Sequence, residues 1–357
     1  MEDLFGGCYF GKKVFLTGHT GFKGSWAALW LTKLGAEVTG FALEAPTNPN
    51  HLDLLNLDIK SIIGDIRDAK ALSEAMIDAR PDVVIHMAAQ PLVRYSYDEP
   101  VETFETNVMG TVNLLEACRK VPSIRAIINI TTDKCYENKE WLWGYRENDP
   151  MGGYDPYSAS KGCAELVASS YRNSFFNNDD YGKKHNTLLA SVRAGNVIGG
   201  GDWALDRLIP DIIRATVNKE KVEIRSPRAT RPWQHVLEPI SGYLALGQKL
   251  IEGEISFAEA WNFGPEDSSV VDVENVVKSV KKHWDTFEYI INEQAANLHE
   301  AKLLKLDSSK AAFKLGWKSS WSYEQAFERT ILWYKNYYEQ GKICSEEDLE
   351  LYVAGLR

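Results

Sequence analysis

Short apolar runs alternate with amphipathic stretches along the first half of the chain. Lys13-Val-Phe-Leu-Thr17 reads as a strand, and Phe22 to Leu34 as a helix stopped by Gly35. Val38 to Leu43 and Ser61-Ile-Ile63 read as further strands. Asp68 is placed to N-cap a helix running to Ala79. Val83-Val-Ile-His-Met87 is a fourth strand, followed by a helix from Pro100 to Cys118 and a strand at Ala126-Ile-Ile-Asn-Ile130. A helix opens near Tyr157, and Thr187 to Val192 is a strand. Strand–helix alternation of this kind predicts an α/β fold built on a doubly wound parallel sheet.

After Asn196 the pattern changes. Helices are expected over Asp206–Val217, Leu237–Leu250, 272–284, 308–315 and 322–340, with strands at Val222-Glu-Ile-Arg225 and Trp261-Asn-Phe263. The expected division is a nucleotide-binding unit over 1–195, to which about 232–262 returns, and a smaller C-terminal substrate-binding lobe from 196–231 and 263–357. Glu137 to Pro156, rich in Gly, Asn, Asp and aromatics, reads as a surface loop near the site.

Gly18-His-Thr-Gly21-Phe-Lys-Gly24 joins the first strand to the first helix. Glycines there let the backbone turn tightly and approach a diphosphate lying on the helix N-terminus, as in a Rossmann dinucleotide site. The second strand ends Gly40-Phe-Ala-Leu-Glu44, with Ala42 where an acid for the ribose hydroxyls is expected and no Arg for a 2′-phosphate. NAD is therefore favoured over NADP, and loose binding is expected. Asp65 stands at the end of the third strand, where it reaches adenine or merely shapes a turn.

Tyr157 and Lys161 lie four apart on a predicted helix and so share a face. An ammonium beside a phenol favours phenolate, which would let Tyr157 act as a base. Bringing a Tyr from ~10 to ~7 requires roughly 4 kcal/mol of differential stabilisation, which Lys161 together with a positive nicotinamide ring is expected to supply. Upstream, Thr131-Thr-Asp-Lys134 puts a hydroxyl, a carboxyl and an amine at the end of the fifth strand.

The charge balance narrows the partners. With 40 Lys and Arg against 50 Asp and Glu, the net charge of −10 argues against nucleic acid. No run approaches the ~18 apolar residues of a membrane span, and the N-terminus carries acid where a signal peptide carries base. A cytoplasmic protein is expected. Five scattered Cys, without zinc-like spacing, read as reduced thiols, and no metal is expected. His86 reads as a core residue, His235 as core or substrate-facing, and Cys135 as packing on an extended chain.

Together with Gly64-Asp65, His86-Met-Ala-Ala-Gln90, Asn107, Arg193 to Asn196, Arg231-Pro-Trp-Gln-His-Val236, Trp261-Asn-Phe-Gly264 and Leu315-Gly-Trp317, these motifs make nearly the whole chain resemble the extended short-chain dehydrogenase/reductase family. Within it the chain is similar to the nucleotide-sugar 4,6-dehydratases, and in Thr17 to Trp26 to the subgroup acting on CDP-glucose. The resemblance implies conversion of CDP-glucose to CDP-4-keto-6-deoxyglucose with NAD regenerated in each turnover, a step towards deoxyhexoses of surface polysaccharide such as lipopolysaccharide O-antigen.

It also implies residue roles. Thr132, Asp133, Lys134, Tyr157 and Lys161 form the catalytic set. Tyr157 takes the C4 hydroxyl proton, with Lys161 lowering its pKa and binding the nicotinamide ribose. Asp133 acts as an acid at the C6 hydroxyl, and Lys134 replaces the commoner Glu as base at C5. The alternative is that Lys134 stabilises an enolate while Glu137 or a water is the base. The cofactor shell is Gly18, Thr20, Gly21, Phe22, Lys23, Gly24, Asp65, Ile66, Ala88, Ala89, Asn107 and Thr131 with Tyr157 and Lys161. Gln90, Thr132, Asn196, Arg207 and Arg231 are the substrate contacts, with Arg94 and Arg225 weaker candidates. Helices 100–118 and 157–173 carry spare apolar surface, implying a homodimer or a tetramer. A nucleotide-sugar 4-epimerase, or a non-catalytic NAD-binding protein, is the competing reading. An epimerase would not need the Asp133-Lys134 pair.

Overall fold

The computed structural model describes residues 1–224, 227–228, 230–266, 269–291 and 303–356. The first half runs β1 (Lys13–Thr17), α1 (Phe22–Lys33), β2 (Glu37–Ala42), α2 (His51–Leu55), β3 (Lys60–Ile63), α3 (Ala69–Ala79), β4 (Val83–His86), α4 (Val93–Asp98), α5 (Pro100–Phe104), α6 (Gly110–Cys118), β5 (Ala126–Ile130), α7 (Pro156–Ser174) and β6 (Leu188–Ala194). The second half runs β7 (Val197–Ile198), α8 (Leu208–Asn218), β8 (Lys221–Ile224), β9 (Thr230–Pro232), β10 (Gln234–His235), α9 (Leu237–Ile251), β11 (Ala260–Phe263), β12 (Val270–Asp272), α10 (Val273–His283), β13 (Glu288–Ile291), α11 (Tyr323–Gln340) and α12 (Ser345–Gly355).

Seven strands form one sheet in the order β11-β6-β5-β4-β1-β2-β3, and every pairing in it is parallel. Every residue of β4, β5 and β6 is buried, as a parallel sheet covered on both faces requires. One face packs Trp26, Trp30, Tyr243 and Leu244 from α1 and α9. The other packs Leu72, Met76, Leu114 and Leu115 from α3 and α6. A third cluster joins α8, α10 and α11 through Ile212, Val277, Phe327 and Trp333. Among the described residues no helix is long and apolar enough to cross a membrane.

Segment 237–263 rejoins the first half: α9 covers β5 and β6, and β11 pairs with β6 at the sheet edge. The expected helix over 100–118 is present, but a π turn at Glu105–Met109 interrupts it. Asp68 caps α3 through the amides of Lys70 and Ala71. Several elements depart from the sequence reading, among them these three. Val93–Asp98 is helical, Glu288–Ile291 pairs with β8, and α12 follows α11, its Tyr352 ring 5.7 Å from Trp30. Strand β8 ends at Ile224, and Arg225 lies outside the described residues.

Trp261 is fully buried on β11 and stacks on Phe257 at 5.4 Å. Trp261→Ala is expected to cost about 3–5 kcal/mol, read as a lowered urea midpoint at unchanged m-value.

Candidate active site

All seven strands point the same way, so their C-terminal ends open onto one edge, where α/β sheets bind ligands. A cleft of about 1460 Å³ lies there, bounded by the glycine loop, the ends of β2 to β6 and residues 194–211. Single small-molecule sites are roughly 300–1,000 Å³, so this one has room for two ligands side by side.

The glycine loop fits a dinucleotide diphosphate. Gly18 has φ +78°, and a Cβ there would sit 2.7 Å from the Ala88 amide nitrogen. A Cβ on Gly24 would sit 2.0 Å from the Gly18 carbonyl oxygen. Bare backbone at both points lets α1 begin against the cleft, with Thr20, Gly21 and Phe22 on its wall. Thr20 donates to the Leu43 carbonyl oxygen at 2.9 Å. Asp65, Ile66, Ala88 and Ala89 line the same side. The Asp65 carboxylate is already held by the Arg67 guanidinium at 2.6 Å and the Arg67 amide at 2.8 Å.

Asn107 departs from its expected place at the cofactor. It is buried in the π turn, accepts from the Gln90 amide at 2.8 Å, and donates to the Gln90 carbonyl and the Ser160 hydroxyl. It clips the loop after β4 to α7. Gln90 itself spends its side-chain amide on Thr103 and Leu92, so its part in the cleft wall is structural.

The residues expected to be catalytic come together where β5 ends and α7 begins. Asp155 caps α7 by accepting from the Ser158 amide at 2.9 Å and the Ser158 hydroxyl at 2.6 Å. Ser96 of α4 accepts from the Tyr157 amide at 3.1 Å. After β5 the chain makes a tight turn at Asp133–Cys135, not the extended course read from the sequence. Cys135 is buried by that turn. Thr132 donates to Asp133 at 2.9 Å and is hydrogen-bonded to Tyr157, so one hydroxyl joins the two.

Burial governs the charges here. It pushes Tyr157 up to about 12, against the hydrogen bond it shares with Thr132 and the charge of Arg207. The near-neutral phenol expected from the Tyr–Lys spacing is therefore not met by the chain alone. Lys161 donates to the Ile130 carbonyl at 3.1 Å and is drawn down to about 8, chiefly by burial. Burial also raises Asp133, outweighing Lys134, Thr132 and Arg231, and so favours the carboxylic acid.

Lys23, expected with the phosphate loop, lines the cleft. Its pKa falls to about 8 through burial and the nearby charges of Lys161 and Arg207, with Asp133 opposing. Its ammonium lies 5.8 Å from the Tyr243 ring centroid.

Thr131, Lys134, Asn196, Arg207 and Arg231 all line the cleft. Arg207 is oriented by Asp202 at 2.8 Å, and Arg94 spans to Asp206 at 2.8 Å. Glu137 is paired with Lys139. His86 is a core residue between Thr17 and Thr111. His235 is buried against Trp26 and Trp321 and does not face the cleft. Asp155, Asp202 and Glu165 went unread in the sequence. The capping spacing Asp155-x-x-Ser158 and the i, i+4 pair Lys161–Glu165 were the signals. No cluster of three or more His, Cys, Asp or Glu among the described residues could hold a metal ion.

A family model described as GDP-mannose 4,6 dehydratase matches residues 15–330. The chain belongs to this family. It is 53% identical over 348 residues to the CDP-glucose 4,6-dehydratase of Salmonella typhimurium, covering 96% of this chain and 97% of that one. It is 26% identical to the dTDP-D-glucose 4,6-dehydratase of Dictyostelium discoideum, over 91% and 82% of the two chains. Among solved structures, a dTDP-glucose 4,6-dehydratase double mutant from Streptomyces venezuelae with NAD bound superposes with a TM-score of 0.71 at 22% identity, over 90% and 96% of the chains. A UDP-glucose 4-epimerase from Thermotoga maritima gives 0.75 at 20% identity, over 90% and 98%. Both share the fold. The 4,6-dehydratase family therefore has in this member the doubly wound sheet and smaller C-terminal elements foreseen from sequence.

Gly24→Ala forces a methyl into the Gly18 carbonyl. NAD affinity measured by calorimetry is expected to fall at least tenfold, with the far-UV circular dichroism unchanged.

Proposed function

We propose that this chain is an NAD-dependent CDP-glucose 4,6-dehydratase, which forms CDP-4-keto-6-deoxyglucose and water. The observation that carries the reading is Asp133, a carboxyl biased towards its protonated form, set beside Tyr157 and Lys161 in one cleft. The extent of identity to the Salmonella relative supports CDP-glucose as substrate. A 4-epimerase has no use for an acid at C6.

NAD, when bound, supplies the hydride acceptor for C4 and the hydride donor for C6. Gly18 to Gly24 hold its diphosphate, and Lys161 the nicotinamide ribose. Tyr157 removes the C4 hydroxyl proton as phenolate, a form that burial opposes and that Thr132, Arg207 and the positive charge of bound NAD would favour. The C4 ketone makes C5–H acidic. Lys134, as the free amine, would take that proton while Asp133 gives its own to the C6 hydroxyl, which leaves as water, and the proton at C5 is afterwards restored from the same amine or from solvent. Glu137, the other candidate base, has its carboxylate engaged by Lys139. Arg207, Arg231 and Asn196 receive the sugar nucleotide, the two guanidiniums at its diphosphate.

A homodimer fits the exposed apolar residues on α5 to α7: Val101 is 68% exposed, Met109 51% and Leu166 60%. The five unpaired cysteines support a cytoplasmic setting.

Incubation with NAD and CDP-, dTDP- or GDP-sugars is expected to give a product lighter by one water from CDP-glucose in preference to the others. No such product from any of them sinks the proposal. The acid must be protonated to work, so kcat/KM is expected to fall as pH rises through the raised pKa of Asp133. Asp133→Asn is expected to lose more than a hundredfold in turnover.

A further inference from the structure

Beneath the reaction centre lies a buried ion pair that the chemistry above does not use. Glu165 stands one helical turn beyond Lys161 on α7, on the same face. Its carboxylate accepts from the Arg193 guanidinium of β6 at 2.9 Å, from the Ser191 hydroxyl at 2.7 Å, and from the Thr131 hydroxyl at the end of β5. Glu165 and Arg193 are 3% and 5% exposed. Arg193 continues outwards to the Tyr136 hydroxyl and the Glu147 carbonyl oxygen, and Tyr136 donates to Asn262 at 2.8 Å. One carboxylate thus touches the strand that ends in Thr132-Asp133, the helix that carries Tyr157 and Lys161, and the neighbouring strand.

We propose that the Glu165–Arg193 pair is the positioning device of the reaction centre. Glu165 supplies the negative charge that keeps the Lys161 ammonium charged, and Arg193 keeps Glu165 ionised. The proposal rests on the reading of Lys161 as a member of the active site.

Glu165 accepts from Thr131, and Lys161 donates to the carbonyl oxygen of the residue before it, Ile130, so carboxylate and ammonium are held at adjacent residues of one strand end. Other groups also face Lys161. From the turn after β5 it is faced by Cys135, whose thiol burial pushes far up and so leaves neutral. From β4 it is faced by His86, held neutral by burial at about 3. From α1 it is faced by Lys23, a like charge. Tyr157 stands a turn before it on α7 and is a neutral phenol. Glu165 is the charge that opposes burial at Lys161. Burial would raise the Glu165 carboxyl, but Arg193 and the hydroxyls of Thr131 and Ser191 hold it below its usual value. Arg193 does not face Lys161 directly; it acts through Glu165.

The sign of the effect follows. Removing the Glu165 charge leaves burial unopposed, so Lys161 loses its proton at lower pH. A residue that only packed the core would change stability and leave that titration in place.

The test measures the acetylation rate of Lys161 by acetic anhydride against pH in the full chain, read from the mass of the peptide that contains it. It requires neither cofactor nor turnover, so it stands even if the protein proves not to be a dehydratase. The wild-type midpoint is expected near 8. E165Q is expected to move it down by at least half a unit and to shift the alkaline limb of kcat/KM with it, while E165D restores most of the midpoint. If the orphaned Arg193 keeps E165Q from folding, E165Q/R193M removes both charges and is expected to show the same downward shift. An unchanged Lys161 midpoint in a folded Glu165 variant overturns the proposal, and so does an equal shift in E165D.

Discussion

The cleft exists because a fully buried parallel sheet has only one edge at which to do chemistry. With β4, β5 and β6 covered on both faces, their side chains are committed to packing. Polar side chains within these strands, such as His86 and Arg193, are tied to fixed buried partners, and groups open to a ligand stand where the strands run out. Thr131 to Lys134 follow β5, Gly18 follows β1, and Asn196 follows β6, all at the same end. Parallel register then aligns these ends without any loop having to be long.

That edge gathers charge in a place largely shielded from water. Lys23, Lys161 and Arg207 meet Asp133, with Asp202 and Glu165 as the outer counter-charges. Desolvation biases each group towards its neutral form, and the partners decide how far each goes. Among the described residues Asp133 has cations near it but no close ion pair, so burial outweighs them and raises its carboxyl above the usual range. Glu165 has a close Arg193 and two hydroxyls, so it stays ionised. Two carboxyls at the same strand end, Asp133 just after it and Glu165 reaching it from α7, thus take opposite roles, set by environment and not by residue type.

Much of this was legible in the sequence, and the rest was hidden for identifiable reasons. The strands were readable because Val83-Val-Ile-His and Ala126-Ile-Ile-Asn-Ile are continuous apolar runs of strand length. The Gly18–Gly24 loop was readable because only glycine tolerates such close backbone contact. Helix α12 was missed although Leu349, Tyr352 and Val353 keep helical spacing; its first turn, Ser345-Glu-Glu-Asp348, is polar. The Asp133–Cys135 turn and the inward course of Asn107 depend on partners distant in sequence. Burial of Tyr157 is a tertiary property, so the Tyr157–Lys161 spacing alone pointed to a lower phenol pKa than the folded chain produces.

In the proposed reaction, oxidation at C4 is transient and serves to expel water across C5 and C6. The direct test is turnover of CDP-glucose deuterated at C4, in ordinary water, with the product read by NMR. The account predicts deuterium at C6 of a 4-keto-6-deoxy sugar and a solvent proton at C5. Deuterium that remains at C4 of an epimerised sugar, or that is lost to solvent, contradicts it.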